Sequence, residues 1–523
     1  MSKHLASIGT VSGATILSRL LGLARDMLTA AVFGTSALNS AYVTAFTLPN
    51  LFRRLLGEGA LTAALVPTMS EELESGGREA AFALVNKVAS WLLVVTGGLV
   101  ALAVAGMGAV HFVDGLEERW YLGARLGQIL FPYVVAICLA AAFGAALNLL
   151  EEYLVPAMTA VWLNLCIILS LGLGAWVLAG TPMGKMYWLC GGTLLGGLVQ
   201  FAAPAHALRR RGWRPCFDLA PTDRFRQLLR LMGPGVFGAA IFQVNILTSR
   251  GLAFALNESA ATLLYLANRL MEVPLGIFTI AVSTVTFPLI ARLAARGDHG
   301  GMARHYHRAI LLTMHIALPA SVGLILLSEP IVRLLFQRGE FEGADTAAMV
   351  PVLGIFCLGL PFYSYVTLVT RAFHALKDTQ TPVRVAVGAF VLNLALSLIL
   401  MWRYGTLGLA AASNIAIAVQ TIVLQAILGR RHPALAARLH VRGLAGVGAV
   451  SLVMGAVVFG GWFSLQRVQL PPVVAALLAV GGLIPAGAAA YFATALLLRV
   501  DGIEEVRGLL RRYRGNNPGG ADT

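Results

Sequence analysis

Arginine and carboxylate side chains stand inside long apolar stretches of this sequence, where charged groups are costly. The segment SRLLGLARD places Ser18, Arg19, Arg25 and Asp26 within the first apolar run. An arginine at the centre of a membrane-spanning helix costs about 2.5–3.5 kcal/mol on insertion scales. Such a residue requires a polar or water-filled surrounding, and its planar guanidinium can hold a carboxylate or a phosphate through two hydrogen bonds.

Two further segments, LPNLFRRLLGEGA and NRLMEVP, repeat this pattern. Arg54 and Glu58 are four residues apart, and Arg269 and Glu272 are three apart, so each pair could form an ion pair on one face of its helix. Pairing cannot neutralise the whole set, because the arginines outnumber the carboxylates. The excess predicts a cationic cavity that suits a phosphate or pyrophosphate headgroup. The arginines are Arg19, Arg25, Arg53, Arg54, Arg250 and Arg269, and the carboxylates are Asp26, Glu58 and Glu272.

Snorkelling and internal pairing are the alternative explanations of these charges. Arg250 is close to the end of its apolar run, so its side chain could reach the membrane surface. Arg19 lies roughly 20 Å along its predicted helix, at 1.5 Å per residue, which makes snorkelling a weak explanation there. Pairing of Arg19 with Asp26, seven residues on, stays open if the helix is regular past Gly22.

Composition identifies the class of protein that carries these charges. The chain has 523 residues, of which 58% are hydrophobic and 12% charged, whereas soluble domains carry about 25% charged residues. The net charge of +14 falls mainly in loops between apolar runs. That distribution favours a positive-inside membrane topology and argues against a nucleic-acid partner. The five cysteines support neither a disulfide framework nor a metal site, and no cofactor is expected.

Hydropathy predicts an all-α polytopic membrane protein with about fourteen transmembrane helices. Arginine-rich loops near 209–226, 292–308 and 430–442 would lie on the cytoplasmic side, which places both termini inside. The predicted location is the bacterial inner membrane. The predicted spans are 6–33, 40–69, 80–112, 122–150, 154–179, 186–208, 228–255, 262–291, 309–328, 348–374, 384–403, 407–428, 444–464 and 472–498.

An internal repeat divides the predicted spans. Arg25 and Arg250 are 225 residues apart, as are Pro49 and Pro274, and other matches fall at offsets of 220–226. A duplication of six spans predicts two lobes in the same orientation, the parallel-repeat plan of alternating-access transporters. The predicted division is 1–220 and 221–440 for the two six-helix lobes, 441–498 for two additional helices, and 499–523 for a cytoplasmic tail.

The segments SRLLGLARD, LPNLFRRLLGEGALTAALVP and LYLANRLMEVPLGIF resemble the MurJ (MviN) family of lipid II flippases, within the multidrug/oligosaccharidyl-lipid/polysaccharide exporter superfamily. The resemblance runs from about residue 5 to 498. It implies transfer of undecaprenyl-diphosphate-linked peptidoglycan precursor from the cytoplasmic to the periplasmic leaflet. It also implies two six-helix lobes around a cationic cavity, and a groove for the lipid tail formed by the last two spans.

The resemblance assigns the family's essential cavity residues to six positions, with gripping the pyrophosphate and gating the lobes as their roles. This sequence departs from the family pattern at two positions, because Ser40 and Asn268 stand where many members carry an acidic residue. Neither position can therefore supply a carboxylate for charge coupling. Asn393 and Ser397 offer no carboxylate for the sodium site of some members. The six positions are Ser18, Arg19, Arg25, Asp26, Arg53 and Arg269, with Arg54, Glu58, Arg250 and Glu272 as secondary candidates.

Other functions remain open from the sequence. A related exporter of another polyprenyl-linked glycan would recognise pyrophosphate in the same way, whereas an exporter of cationic drugs would need acidic cavity residues. A membrane scaffold or an integral enzyme is the alternative from another class. No Walker loop is present, so ATP is not expected as the direct energy source. We expect a non-enzyme, because no HExxH, GxSxG or paired-aspartate metal motif is present. The expected partners are lipid II and membrane lipids, with the cell-wall synthesis machinery as a further candidate.

Overall fold

The computed structural model describes residues 2–55 and 61–503, which are almost entirely helical. π-Helical turns extend α6 over Ser170–Leu178 and join α9 to α10 over Leu275–Thr279. In chain order the helices are α1 (Ser2–Phe33), α2 (Ala37–Phe52), α3 (Leu61–Ala109), α4 (Glu118–Leu130), α5 (Tyr133–Leu149), α6 (Leu154–Leu169), α7 (Pro182–Arg210), α8 (Asp223–Leu256), α9 (Ala260–Pro274), α10 (Ile280–Ala295), α11 (His299–Leu326), α12 (Ser328–Phe336), α13 (Gly343–Ala375), α14 (Gln380–Arg431), α15 (Val441–Arg467), α16 (Pro472–Leu478) and α17 (Ile484–Leu497).

Eight helices in the described part of the chain are long and apolar enough to cross a membrane. The number is nine if α4 and α5, which meet at a 41° bend, form one span. The longest two change direction at a glycine: Gly77 in α3 has φ 73°, and Gly405 in α14 has φ 55°. These left-handed conformations favour glycine and fall between predicted spans. The predicted all-α polytopic class is therefore confirmed.

The chain divides into two compact units. Unit 1 comprises Met1–Thr262 and Arg338–Glu342, and unit 2 comprises Leu263–Gln337 and Gly343–Thr523. Helix α8, which the repeat assigns to the second lobe, packs against α2 and α3 within unit 1. The division by packing thus falls between Thr262 and Leu263, and the division by sequence repeat stays a prediction.

Small residues let the helices of unit 1 approach one another closely. A Cβ atom at Gly196 in α7 would lie 2.7 Å from Leu163 Cδ1 in α6. A Cβ atom at Gly192 would lie 3.0 Å from the Cys166 carbonyl oxygen on the same neighbour. Helix association inside a membrane depends on such close packing, because apolar burial gains little against lipid. The pair α6–α7 then supports α1 and α5, which pack beside it.

An extended strap, residues 213–220, joins α7 to α8 and lies along one face of α3. Lys87 of α3 is buried and its Nζ donates to Asp218 Oδ2 at 2.7 Å and to the Ala220 carbonyl. The hydrogen bond from Lys87 holds the pKa of the Asp218 carboxyl below its usual value. Trp91 Nε1, one turn further along α3, donates to the Leu219 carbonyl at 3.2 Å. The connection between the predicted lobes is thereby fixed to unit 1.

Helices α11, α13, α14, α15 and α17 form the main packing of unit 2. Ser321 Oγ in α11 donates to the Cys357 carbonyl in α13 at 2.6 Å, and both residues are buried. Helices α15 and α17 also approach each other closely, since a Cβ at Gly487 in α17 would lie 2.7 Å from Val458 Cγ2 in α15. Helix α15 packs in turn against α11, which attaches both helices to unit 2.

Candidate functional site

Two charges of SRLLGLARD, those of Arg25 and Asp26, form a buried network in unit 1. Arg25 Nη2 and Asp26 Oδ1 are 2.7 Å apart, with 14% and 3% of their side chains exposed. Arg25 Nη1 also donates to Asn164 Oδ1 on α6 at 3.2 Å. Asn164 Nδ2 in turn donates to the backbone carbonyl of Ser18 at 3.1 Å, about two turns before Arg25. Three of the six predicted site positions thus meet at one place on α1.

Asn164 was not among the residues predicted from the sequence. It lies 139 residues from Arg25 along the chain and is buried in the apolar segment AVWLNLCIIL. The available signal was this single amide within an apolar span, because buried polar groups require hydrogen-bond partners. Its two hydrogen bonds hold the guanidinium of Arg25 and the backbone carbonyl of Ser18, about two turns earlier on α1.

Arg19 differs from Arg25 in its surroundings. Its side chain is exposed on unit 1, between the exposed side chains of Leu17 and Leu20. The carboxylate of Asp26 pairs with Arg25, the next residue in the chain. The alternative pairing of Arg19 with Asp26 is therefore not needed to neutralise Asp26, and Arg19 presents its positive charge on the surface of α1.

The second arginine segment lies at the end of α2. Arg53 is half-buried and its Nε donates to Asn50 Oδ1 at 3.3 Å, while Arg54 is exposed. Glu58 lies outside the described residues, so its pairing with Arg54 stays a prediction. Ser40, one of the two departures from the family pattern, is fully buried and its Oγ is 3.0 Å from Thr262 Oγ1.

The third segment lies on α9 in unit 2. Arg269 Nη1 and Glu272 Oε2 are 3.6 Å apart, so the predicted i,i+3 pairing is present, with 34% and 41% of the side chains exposed. Asn268 Nδ2 donates to Glu272 Oε1 at 2.9 Å. The second departure from the family pattern is thus a neutral hydrogen-bond donor to the local carboxylate.

Arg250 near the end of α8 does not need to snorkel. Its Nη1 donates to the Ala261 carbonyl at 3.0 Å, and the side chain is half-buried in unit 1. Helix α9 begins at Ala260. The guanidinium therefore bonds the first turn of the following helix.

The site chemistry is that of arginine, amide and carboxylate groups. Within residues 2–55 and 61–503, no group of three or more His, Cys, Asp or Glu side chains is placed to hold a metal ion. Guanidinium groups on apolar helices can bind an anion through charge-assisted hydrogen bonds.

A family model described as "Lipid II flippase MurJ" matches residues 29–475. The chain belongs to the MurJ family. A protein of Rhizobium meliloti (strain 1021) named "Probable lipid II flippase MurJ" is 33% identical, over 96% of this chain and 95% of its own. A protein of the same name in Vibrio cholerae serotype O1 is 32% identical, over 96% of this chain and 97% of its own.

Solved structures agree with the MurJ assignment. One described as "Lipid II flippase MurJ, inward closed conformation" matches with a TM-score of 0.75 and 25% identity, over 94% of this chain and 98% of that one. An inward-facing multidrug transporter of the MATE family and MOP superfamily matches with a TM-score of 0.66 and 16% identity, over 82% of this chain. The second match shows a shared fold. The MurJ family is one of multi-pass membrane transporters, as the sequence predicted.

Proposed function

We propose that the protein moves lipid II from the cytoplasmic to the periplasmic leaflet by alternating access. The observation that carries the proposal is the set of arginines on apolar helices in a MurJ-family chain. Asp26 neutralises Arg25, whereas Arg19 and Arg54 are exposed. Exposed guanidinium groups in membrane helices favour a polyanionic ligand, and the pyrophosphate of lipid II is one.

The residues divide into gripping and positioning roles in this proposal. Arg19, Arg53 and Arg269 hold the pyrophosphate, with Arg54 as an additional positive charge. The Arg25–Asp26 pair and the Ser18 backbone, joined through Asn164, keep α1 in register. We infer a cationic cavity between two lobes from the sequence repeat, and both termini on the cytoplasmic side from the arginine-rich loops.

The test supplies this protein to a bacterium depleted of its own flippase and measures lipid II accessible at the periplasmic face. Wild type should restore access, and Arg19→Ala should lower it by more than about tenfold, because a charged hydrogen bond contributes about 1.5–3 kcal/mol. The matched control is Arg403→Ala, an exposed arginine at the end of the first half of α14. Membrane levels of all three proteins are measured in parallel.

Two outcomes would contradict the proposal. Normal periplasmic accessibility of lipid II with Arg19→Ala would reject the assigned binding site. An equal loss of accessibility with Arg403→Ala would show that the effect is not specific to Arg19. Failure of the inserted wild type to restore access would favour the alternative substrate, another polyprenyl-linked glycan. Competition for binding between lipid II and a different lipid-linked sugar separates the two substrates, because both carry the same pyrophosphate.

A further inference from the structure

The connecting segment, residues 432–440, carries the chain from α14 into α15 and is held by side chains from two helices of unit 2. His307 Nε2 on α11 is 2.8 Å from the Ala434 carbonyl oxygen. Gln425 Nε2 on α14 donates to the Leu435 carbonyl at 2.8 Å. His440, the last residue of the segment, is buried directly before α15 begins. The direction in which α15 leaves the segment is set by these contacts.

A chain of three side chains links α13, the connecting segment and α11. Tyr365 Oη is 2.6 Å from His440 Nε2, and His440 Nδ1 is 2.7 Å from His307 Nδ1. A carbonyl oxygen only accepts, so His307 must carry its proton on Nε2 to bond Ala434. His307 Nδ1 then accepts from His440 Nδ1–H, and His440 Nε2 accepts from the Tyr365 hydroxyl. With both imidazoles neutral, every ring nitrogen has one partner of the right kind.

Protonation of both rings disrupts this order. An imidazolium carries N–H groups on both nitrogens. A first proton on His440 is tolerated, because the Tyr365 hydroxyl can turn and accept from Nε2–H. A second proton, on His307, would set Nδ1–H against Nδ1–H across 2.7 Å. Charge on His440 is also unfavourable because this side chain is buried.

The titratable groups that face the pair come from α11 and α13. The Tyr306 ring is 5.6 Å from the His307 ring and 6.4 Å from the His440 ring, and its hydroxyl donates to Gln425 Oε1 at 2.6 Å. Tyr365 is the facing group on α13. Burial, followed by the neighbouring His307, lowers the pKa of His440 from 6.5 to about 4. Burial therefore favours the neutral pair, and the contacts exclude the doubly protonated one.

We propose that Tyr365, His440 and His307 form a proton-sensitive clasp that positions the start of α15 on unit 2. The closed clasp requires at least one neutral imidazole, and protonation of both rings opens it. This role is independent of the substrate assigned above. If α15 and α17 hold the lipid tail, as the family resemblance implies, the clasp is also a positioning element for transport.

A second histidine on α11 limits how far the opening extends. His315 is buried, with Nδ1 2.6 Å from Tyr491 Oη on α17 and Nε2 2.8 Å from the Asp501 carbonyl oxygen. A phenol oxygen can accept as well as donate, so these two hydrogen bonds survive protonation of His315. Opening of the clasp should loosen the connecting segment and the first turns of α15, while α17 stays attached.

The sign of the pH effect follows from the lowered pKa. Between about pH 6.5 and about pH 4, the open form binds a proton that the closed form does not. The ratio of closed to open segment should therefore fall at least about tenfold per pH unit in this window. Above about pH 7 the clasp should be insensitive to pH.

The test is amide hydrogen exchange of the full chain in lipid nanodiscs from pH 7.5 to pH 4, corrected for the intrinsic exchange rate. Protection of residues 433–444 should fall in the stated window, while peptides from α7 in unit 1 keep theirs. His440→Asn keeps a donor toward His307 and removes the titrating ring, so its pH-dependent step should shrink. Tyr365→Phe removes one hydrogen bond of the closed clasp, so the closed form is less stable and opening should begin at higher pH.

The matched control is His305→Gln, two residues from His307 on the same helix, which should behave as wild type. Gel filtration and the protection of α7 show whether each variant is folded, and the conservative Tyr365→Phe variant keeps the test decisive if His440→Asn is unstable. A wild-type segment whose protection is constant with pH would overturn the clasp. So would a step that both variants leave unchanged, or one that His305→Gln alters equally. None of these readouts depends on lipid II.

Discussion

The charge clusters of α1 and α9 use similar side chains in different surroundings. On α1 the Arg25–Asp26 pair is closed at 2.7 Å, almost fully buried, and bonded to Asn164 from another helix. On α9 the Arg269–Glu272 pair is looser at 3.6 Å and more than a third exposed, and Glu272 also accepts a hydrogen bond from Asn268 on the same helix. Burial therefore makes the α1 pair part of the packing between helices, whereas the α9 pair is in partial contact with the surroundings.

The largest expected effect is on the buried pair. Asp26→Asn leaves the Arg25 charge without its anionic partner in a buried place, which costs about 3–5 kcal/mol in comparable cases. We expect a large fall in the thermal unfolding midpoint in detergent and a lower level in the membrane. Glu272→Gln, the counterpart on α9, should cost no more than about 1 kcal/mol, because exposed pairs contribute little. Equal stability of the two variants would abolish the distinction between the clusters.

An intermediate effect is expected at the two amides. Asn164→Ala removes one acceptor of Arg25 and a donor to the Ser18 carbonyl, and a hydrogen bond to a charged group contributes about 1.5–3 kcal/mol. Asn268→Ala removes one hydrogen bond to a half-exposed carboxylate and should cost about 0.5 kcal/mol. The unfolding midpoints of both variants, measured side by side, check this order. The reverse order would mean that Asn164 does not organise the buried network.

The smallest effect is the response to salt. The Arg269–Glu272 pair is partly in contact with solvent, so its contribution should shrink as ionic strength rises from about 0.05 M to about 0.5 M. The small stability difference between wild type and Glu272→Gln should therefore vanish at high salt, while the deficit of Asp26→Asn stays. Unfolding midpoints at both salt concentrations provide the measurement. A deficit of Asp26→Asn that also vanished would show that Arg25 is accessible to solvent.

The fold was predictable because apolar stretches and their interruptions are local properties. The gap predicted between residues 403 and 407 coincides with the left-handed Gly405, and the one between 69 and 80 contains Gly77. The pairing of Arg269 with Glu272 was also predictable, since it follows from spacing on one helix. Contacts of this kind need no knowledge of how the helices pack.

The parts that the sequence did not reveal depend on distant residues. Asn164 and Arg25 are 139 residues apart, and Lys87 and Asp218 are 131 apart. No spacing rule connects such positions, because their contact results from the packing of whole helices. Arg250 shows the same limit: the end of its apolar run was visible, but its bond to Ala261 in the next helix was not.

The strap has a consequence for the order in which the protein is made. Lys87 enters the membrane region with α3, but its partner Asp218 is synthesised 131 residues later. At about 5–20 residues per second this delay is roughly 7–26 s. Until the strap is synthesised, Lys87 lacks its two acceptors on Asp218 and Ala220, so its ammonium must remain hydrated or be screened by the insertion machinery. The contact between α3 and the strap can therefore form only after about residue 220 has been made.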